Sequence, residues 1–315
     1  MNETERVTSV PVLPARAADS HKGTFGRALI VGGSRRMSGA VSLSANAALR
    51  GGAGLVEFAA PETVQLTIAA LCPCATSMPL ACGADGQLAR EAVAQVRSRA
   101  ELATAVAVGP GFDIGQTQRD IVQAVLEQDK PAVIDADGLN NLCTIADWPS
   151  LRRCGLVLTP HPGEFARLTG RPVKEVQASR EALAVEAARM WHGRLAHASQ
   201  GHLAPAEANS PANPPLVLVL KGAGTIVTDG RRVYVNTTGN PGMATGGTGD
   251  VLTGLTVSFL AQGLAPFDAA VLAVFVHGRA GDLAAEELGQ PSLIATDLID
   301  YLPHALRLQV DAEPF

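Results

Sequence analysis

The chain has 315 residues, 47% of them hydrophobic and 17% charged, which is enough apolar material for a large buried core and one or two domains. A net charge of −5 leaves no basic footprint, which argues against nucleic acid and anionic membrane surfaces as partners. Five cysteines, an odd number without zinc-type spacing, argue against a disulfide framework and point to a reducing compartment.

Residues 1–20, MNETERVTSVPVLPARAADS, contain no apolar h-region and read as an N-terminal extension to a single domain over 21–315. No apolar run of about eighteen residues occurs, so the expected location is the cytoplasm, without a membrane span. Short apolar runs predict strands over 28–31, 55–59, 105–108, 132–134, 156–158, 216–220 and 225–228. Helical spacing predicts helices over 39–50, 116–128, 163–169 and 173–191 between them. Near-continuous apolar strands alternating with helices imply a mainly parallel sheet covered on both faces. LVLVLKGAGTIVTDG and RRVYVNT are candidates for a hairpin at one edge. Cys72, Cys74 and Cys82 lie close together and read as buried thiols rather than a metal site. The stretch 192–215, rich in Pro, Ala, Ser and Asn, has no sustained periodicity and reads as a flexible surface insertion. Its His192, His197 and His202 are five residues apart, a spacing that does not align them on one helix face.

Glycine-rich turns follow several predicted strands: GGSRRMSGA, GPGFD and KGAGT. The densest is NPGMATGGTGDVLTG, Asn240 to Gly254, which runs into the apolar helical pattern Val251, Leu252, Leu255, Phe259, Leu260. Bare backbone at a helix start gathers N–H groups and partial positive charge, so Gly246 to Asp250 forms a candidate anion cradle. The competing reading makes Asp250 only the helix N-cap. Neither a Walker A loop nor GxGxxG after the first strand is present, so a bound nucleotide needs another architecture.

KGTFGRALIVGGSRRMSGA, VGPGFD, VIDADGLN, LTPHPGEFARLTG, VLKGAGTIVTDG and GNPGMATGGTGDVLTG, spanning about residues 22–306, resemble the ordered motifs of the ADP-dependent NAD(P)H-hydrate dehydratases. These are repair enzymes of the ribokinase-like superfamily. GGTGD alone marks the superfamily, whereas its combination with LTPHPGE and KGAGT is specific. The resemblance implies a three-layer α/β/α sandwich, ADP as phosphoryl donor with Mg²⁺, and NADH hydrate and NADPH hydrate as substrates. The ADP assignment comes from the likeness to stand-alone bacterial members, in which it would yield AMP and phosphate. Many relatives carry a preceding epimerase domain, here expected to be a separate protein.

By the same resemblance Asp250 is the base that accepts the substrate hydroxyl proton, and the N–H groups of Gly247, Thr248 and Gly249 form the anion hole. Lys221, Gly222, Ala223, Gly224 and Thr225, with Gly249, match the nucleotide-binding segment. Ala40, Gly111, His161 and Asp250 match positions that contact the hydrated nucleotide. Without the resemblance, Lys221 reads as a surface lysine ending a strand, His161 equally well as a packed or capping residue, and Glu164 as a helix-dipole partner. Asp135 and Asp137 end a strand where a carboxylate could orient Mg²⁺ through water, or simply serve the turn. Two other functions stay open: a vitamin-precursor kinase on the same scaffold, and a non-catalytic nucleotide-binding protein. A homo-oligomer, specifically a tetramer, is expected, with the apolar helix over 269–276 as a candidate interface.

Overall fold

Alternating side chains on each strand feed two separate cores, and this sets the architecture. The computed structural model describes residues 4–198 and 214–310. Its strands are β1 (Glu5–Arg6), β2 (Arg27–Val31), β3 (Leu55–Pro61), β4 (Thr76–Leu80), β5 (Ala105–Val108), β6 (Ala132–Ile134), β7 (Leu156–Leu158), β8 (Leu216–Leu220), β9 (Ile226–Thr228) and β10 (Arg232–Val235). Its helices are α1 (Ser38–Arg50), α2 (Glu62–Leu71), α3 (Glu91–Glu101), α4 (Gln116–Leu126), α5 (Asp137–Leu142), α6 (Trp148–Leu151), α7 (Pro162–Thr169), α8 (Val173–Ala178), α9 (Arg180–Ala198), α10 (Thr248–Ala261), α11 (Pro266–Leu288) and α12 (Ala295–Val310).

The strands form one sheet in the order β1-β10-β9-β8-β7-β6-β5-β2-β3-β4. It is parallel from β8 through β4, while β9 is antiparallel to both β8 and β10, and β1 joins β10 in parallel. On β2, Ala28 and Ile30 face the core built with α1, α2, α10, α11 and α12, while Leu29 and Val31 face the core built with α3 to α9. β5 and β8 alternate in the same way. Burial on both faces explains the near-continuous apolar runs and makes the molecule a three-layer α/β/α sandwich.

The chain winds outward from β2 to β4, then returns to place β5 on the opposite side of β2. The strand order therefore reverses between β2 and β5, and the crevice beyond their C-terminal ends is the natural ligand position in such a sheet.

Several expectations need correction. The helical stretch over 173–191 is two helices broken at Ser179, and the second continues to Ala198 into the stretch expected as insertion. Residues 199–213, including His202, and the side chain of His197 lie outside the described residues. Of the three clustered thiols only Cys72 is buried; Cys74 is exposed and Cys82 partly so. The apolar helix proposed as an interface, Ala269 to Val276, is packed inside the chain's own core against α10 and α12, where its apolar surface is already spent. No helix among the described residues is long and apolar enough to cross a membrane.

Candidate active site

The turn NPGMATGG delivers the chain to the N-terminus of α10 through Gly247, whose φ of +92° a residue with a Cβ adopts only under strain. Gly247 is the N-cap and offers no side chain, so Thr248, Gly249 and Asp250 start the helix with no side-chain cap on their N–H groups. Asp250 is thus the third residue of the helix and not its cap, which removes the simplest structural reading of that acid. His277 of α11 donates from Nε2 to the Thr248 carbonyl at 2.8 Å and so fixes the peptide that carries the Gly249 N–H.

Lys221, at the end of β8, stands against this helix start. A Cβ built on Gly249 would lie 3.3 Å from Lys221 Nζ and 4.0 Å from Asp135 Oδ2. The ammonium donates to Asp135 Oδ1 at 2.7 Å and lies 3.9 Å from Glu164 Oε2, with the lysine side chain only 20% exposed. It is therefore an interior cation, and the surface reading of this residue fails. Thr253, one helical turn beyond Asp250, donates to Asp135 Oδ2 at 2.6 Å, so both oxygens of that buried carboxylate are occupied.

The electrostatics follow from this packing. Burial, reinforced by the Asp135 charge and opposed by Lys221, pushes the Asp250 carboxyl up to about 7. No hydrogen bond reaches its carboxylate among the described residues. Burial works to lower the Lys221 ammonium, but Asp135, Glu164 and Asp250 together hold it above the ordinary lysine value, so it stays charged. Burial raises Glu164 and lowers His161, the latter helped by the nearby Lys221 charge. His277 is pushed down to about 4 by burial and is neutral at neutral pH. A partly buried carboxyl near 7 beside uncapped N–H groups and an ion-paired cation suits a general base next to an anion site.

The remaining expected residues divide into three groups. Ala40 lies one turn before Ser44 on α1, and Ser44 Oγ donates to the Asp250 carbonyl at 2.8 Å. Gly111 reaches the same place from the loop after β5: at a φ of +60°, its Cβ would meet the Met37 carbonyl at 2.5 Å and Ala40 Cβ at 3.1 Å. The two thus sit together at the reversal of strand order. His161 is the N-cap of α7, with Nδ1 accepting from Gly163 N and Glu164 N at 3.0 and 3.3 Å. Glu164 closes the capping box by accepting from His161 N at 2.8 Å. The ring remains half exposed, so capping leaves a face for a ligand. Gly222, Ala223, Gly224 and Thr225 form the β8–β9 turn, where Thr225 Oγ1 donates to the Gly222 carbonyl at 2.9 Å.

Asp137 does not join Asp135. Ala136 between them takes a φ of +48°, and Asp137 accepts from Asp113 N and Asn140 Nδ2 at 3.0 and 3.1 Å. Asp135 is held by Lys221 and Thr253. No group of three or more potential ligands that could hold a metal exists among the described residues. These two carboxylates therefore do not form one shared ligand set.

Arg180, at the start of α9, was not legible as functional, yet it donates to the carbonyls of Leu220 and Lys221 at 3.1 and 3.2 Å and to that of Ala223, bracing the KGAGT turn. His277 was likewise missed. Thr253 had a findable signal, the i, i+3 spacing from Asp250 that puts both on one helix face.

A family model described as NAD(P)H-hydrate dehydratase matches residues 28–304. The chain is 36% identical to the ADP-dependent (S)-NAD(P)H-hydrate dehydratase of Bacillus subtilis, with 92% of each chain covered. It is 42% identical to a bifunctional NAD(P)H-hydrate repair enzyme of Moorella thermoacetica, over 94% of this chain and 52% of that one. The chain thus spans about half the length of such bifunctional relatives. Among solved structures, the ADP/ATP-dependent NAD(P)H-hydrate dehydratase of Bacillus subtilis co-crystallised with ATP/Mg²⁺ superposes with a TM-score of 0.76 at 32% identity, covering 95% of both chains.

Proposed function

The chain belongs to the NAD(P)H-hydrate dehydratase family, enzymes of nicotinamide nucleotide repair, and we propose that it returns the S form of NADH hydrate and NADPH hydrate to the reduced coenzyme, driven by ADP. The nucleotide enters as its Mg²⁺ complex, with the ion treated as part of that substrate. A separate epimerase would supply the S form from its R partner.

The hydrate carries a hydroxyl on C6 of the nicotinamide ring, and hydroxide is a poor leaving group. In the proposed reaction Asp250 accepts the hydroxyl proton while the oxygen attacks the β-phosphorus of ADP. The bond from that phosphorus to the bridging oxygen breaks, and AMP leaves with the electron pair. The N–H groups of Gly247, Thr248 and Gly249, with the Lys221 ammonium, stabilise the charge on the migrating phosphoryl group. The ring nitrogen then expels phosphate from C6, and transfer of a C5 proton to water restores the second ring double bond. Lys221 to Thr225 and Gly249 are proposed to bind the nucleotide; Ala40, Gly111 and His161 the hydrate.

One observation carries this reading: an unbonded carboxyl at about 7, in the first turn of a helix whose N–H groups no side chain caps. A carboxyl at that value accepts a proton at neutral pH far better than an ordinary aspartate. The test is product analysis with a mixture of R and S hydrates, ADP and Mg²⁺, without epimerase. Conversion should stop when the S form is exhausted, with AMP and phosphate formed in equal amounts to reduced coenzyme. A phosphorylated product that accumulates instead would identify a small-molecule kinase.

A further inference from the structure

A second recess opens on the same edge of the sheet, apart from the glycine turn and Lys221. Its volume is about 210 Å³, and Ser34, Arg35, Arg36, Thr63, Gln87 and Gln118 supply most of its polar lining. Asp113 contributes the one carboxylate among the lining residues, so two guanidiniums outweigh it. Neither Arg35 nor Arg36 has a hydrogen-bond or ion-pair partner among the described residues. Ser34 is 6% exposed, and its buried hydroxyl also lacks a partner. A buried hydroxyl without a partner is costly, and the two exposed Arg forks at the rim of the recess suit an anion with several acceptor oxygens.

Position identifies that anion. The lining residues follow β2 and β5, on either side of the reversal in strand order, and extend past β3 to the loop after β4. Asp113 and Phe112 adjoin Gly111, whose backbone packs on Met37 and Ala40, so the recess continues directly from the proposed hydrate position. KGAGT lies on the other side of Asp135, at the end of β8. From β6, which leads into Asp135, to β3 is three strand spacings, roughly 14–15 Å. A nicotinamide ring held at Asp250 would send its distal adenosine half that way.

We infer that this recess is the phosphate subsite for the adenosine half of the hydrated dinucleotide, with Arg35 and Arg36 as its charged ligands and Ser34 as a hydroxyl donor. The inference rests on the proposed function and adds a second anchor for its substrate. The phosphate is either the 2′-phosphate, present only in the NADPH form, or the diphosphate common to both; the test separates them.

Steady-state kinetics with purified S-NADPH hydrate and S-NADH hydrate, on wild type and Arg35→Ala/Arg36→Ala, read the subsite directly. The variant should raise KM for NADPH hydrate at least about tenfold while kcat and the KM for ADP stay within about twofold, as expected for lost charge-assisted contacts far from the reacting atoms. An equal rise for NADH hydrate assigns the diphosphate; a rise confined to NADPH hydrate assigns the 2′-phosphate. Unchanged KM for both, in a variant with an unchanged melting curve, overturns the subsite. Should wild type turn over neither hydrate, the functional reading fails, and fluorescence titration with NADPH and NADH still decides the recess. Weaker coenzyme binding in the double variant then supports it, and equal binding rejects it.

Discussion

Lys221 and Asp135 are joined at 2.7 Å, an ion pair that ties the end of β8 to the end of β6 beside the bare backbone of Gly249. Asp135 is 1% exposed, and this partner and Thr253 occupy both of its oxygens. Breaking a buried pair leaves an uncompensated charge, which costs more than the pair itself contributes. Lys221→Met should therefore destabilise the fold by about 3–5 kcal/mol. Lys221→Met with Asp135→Asn should recover part of that loss, as urea unfolding of the single and double variants would reveal; strictly additive losses would show that the two charges are not coupled.

Asp250 sets activity against stability. Its folded value of about 7 lies above the ordinary 3.8, so its stabilising protonated form is fully present below the ordinary value and lost as pH rises through 7. At pH 8 the charged form burdens the fold. Asp250→Asn should then lower kcat by about 10²–10⁴-fold while raising the melting temperature at pH 8. The gain should disappear at pH 4. A variant that loses both activity and stability at pH 8 would argue that the carboxylate is structural.

The same carboxyl predicts the acid limb of the pH–rate profile. As a base it must be ionised, so kcat/KM should fall below about pH 7. Lys221 lowers the Asp250 value, and Lys221→Gln should move the limb of the residual activity to higher pH. A limb unmoved by this substitution would assign the titration to another group.

The sheet was readable in the sequence because both its faces are buried: runs such as AVAV over 105–108 and LVLVL over 216–220 need no alternation to announce a strand. The edges were not. β4 reads TSMPL, with Pro79 and little β-branched content, and β1 is two residues long. The break at Ser179 was hidden because the helical pattern continues across it. In the site, the glycines and Asp250 were conspicuous locally. Lys221 was not, because its burial arises only when β6, β8 and α10 converge. Arg180 and His277 act from distant helices through backbone carbonyls, which leaves no local motif.

His277 illustrates such an indirect role. Its Nε2–H holds the Thr248 carbonyl, and the next N–H, on Gly249, belongs to the proposed anion hole. His277→Gln should keep a donor and most activity, whereas His277→Leu should lower kcat about tenfold or more with little change in the KM for ADP. Burial depresses this imidazole to about 4 from 6.5, so the stability tied to its neutral form is present above the higher value and lost as pH falls towards the lower. Chemical denaturation of wild type and His277→Gln between pH 4 and 7 would expose that slope; parallel pH dependences would contradict it.

Gly249→Ala separates space for a ligand from space for the fold. The added Cβ would stand 3.3 Å from Lys221 Nζ, which a flexible side chain accommodates by shifting a few tenths of an ångström. Alanine also suits a helix better than glycine. The melting temperature should hold or rise while nucleotide-dependent turnover falls about tenfold or more, because the methyl group occupies the approach to the N–H cradle. Retained turnover would place the phosphoryl group elsewhere.

The most direct measurement is the recovery of reduced-nicotinamide absorbance from enzymatically prepared NADH hydrate, with Mg²⁺ and either ADP or ATP. Full recovery of the S form is expected with ADP, with one AMP and one phosphate per coenzyme restored, at a rate about 10²–10⁴-fold lower for Asp250→Asn. No recovery with either nucleotide, in folded protein that binds both, would contradict the proposed reaction.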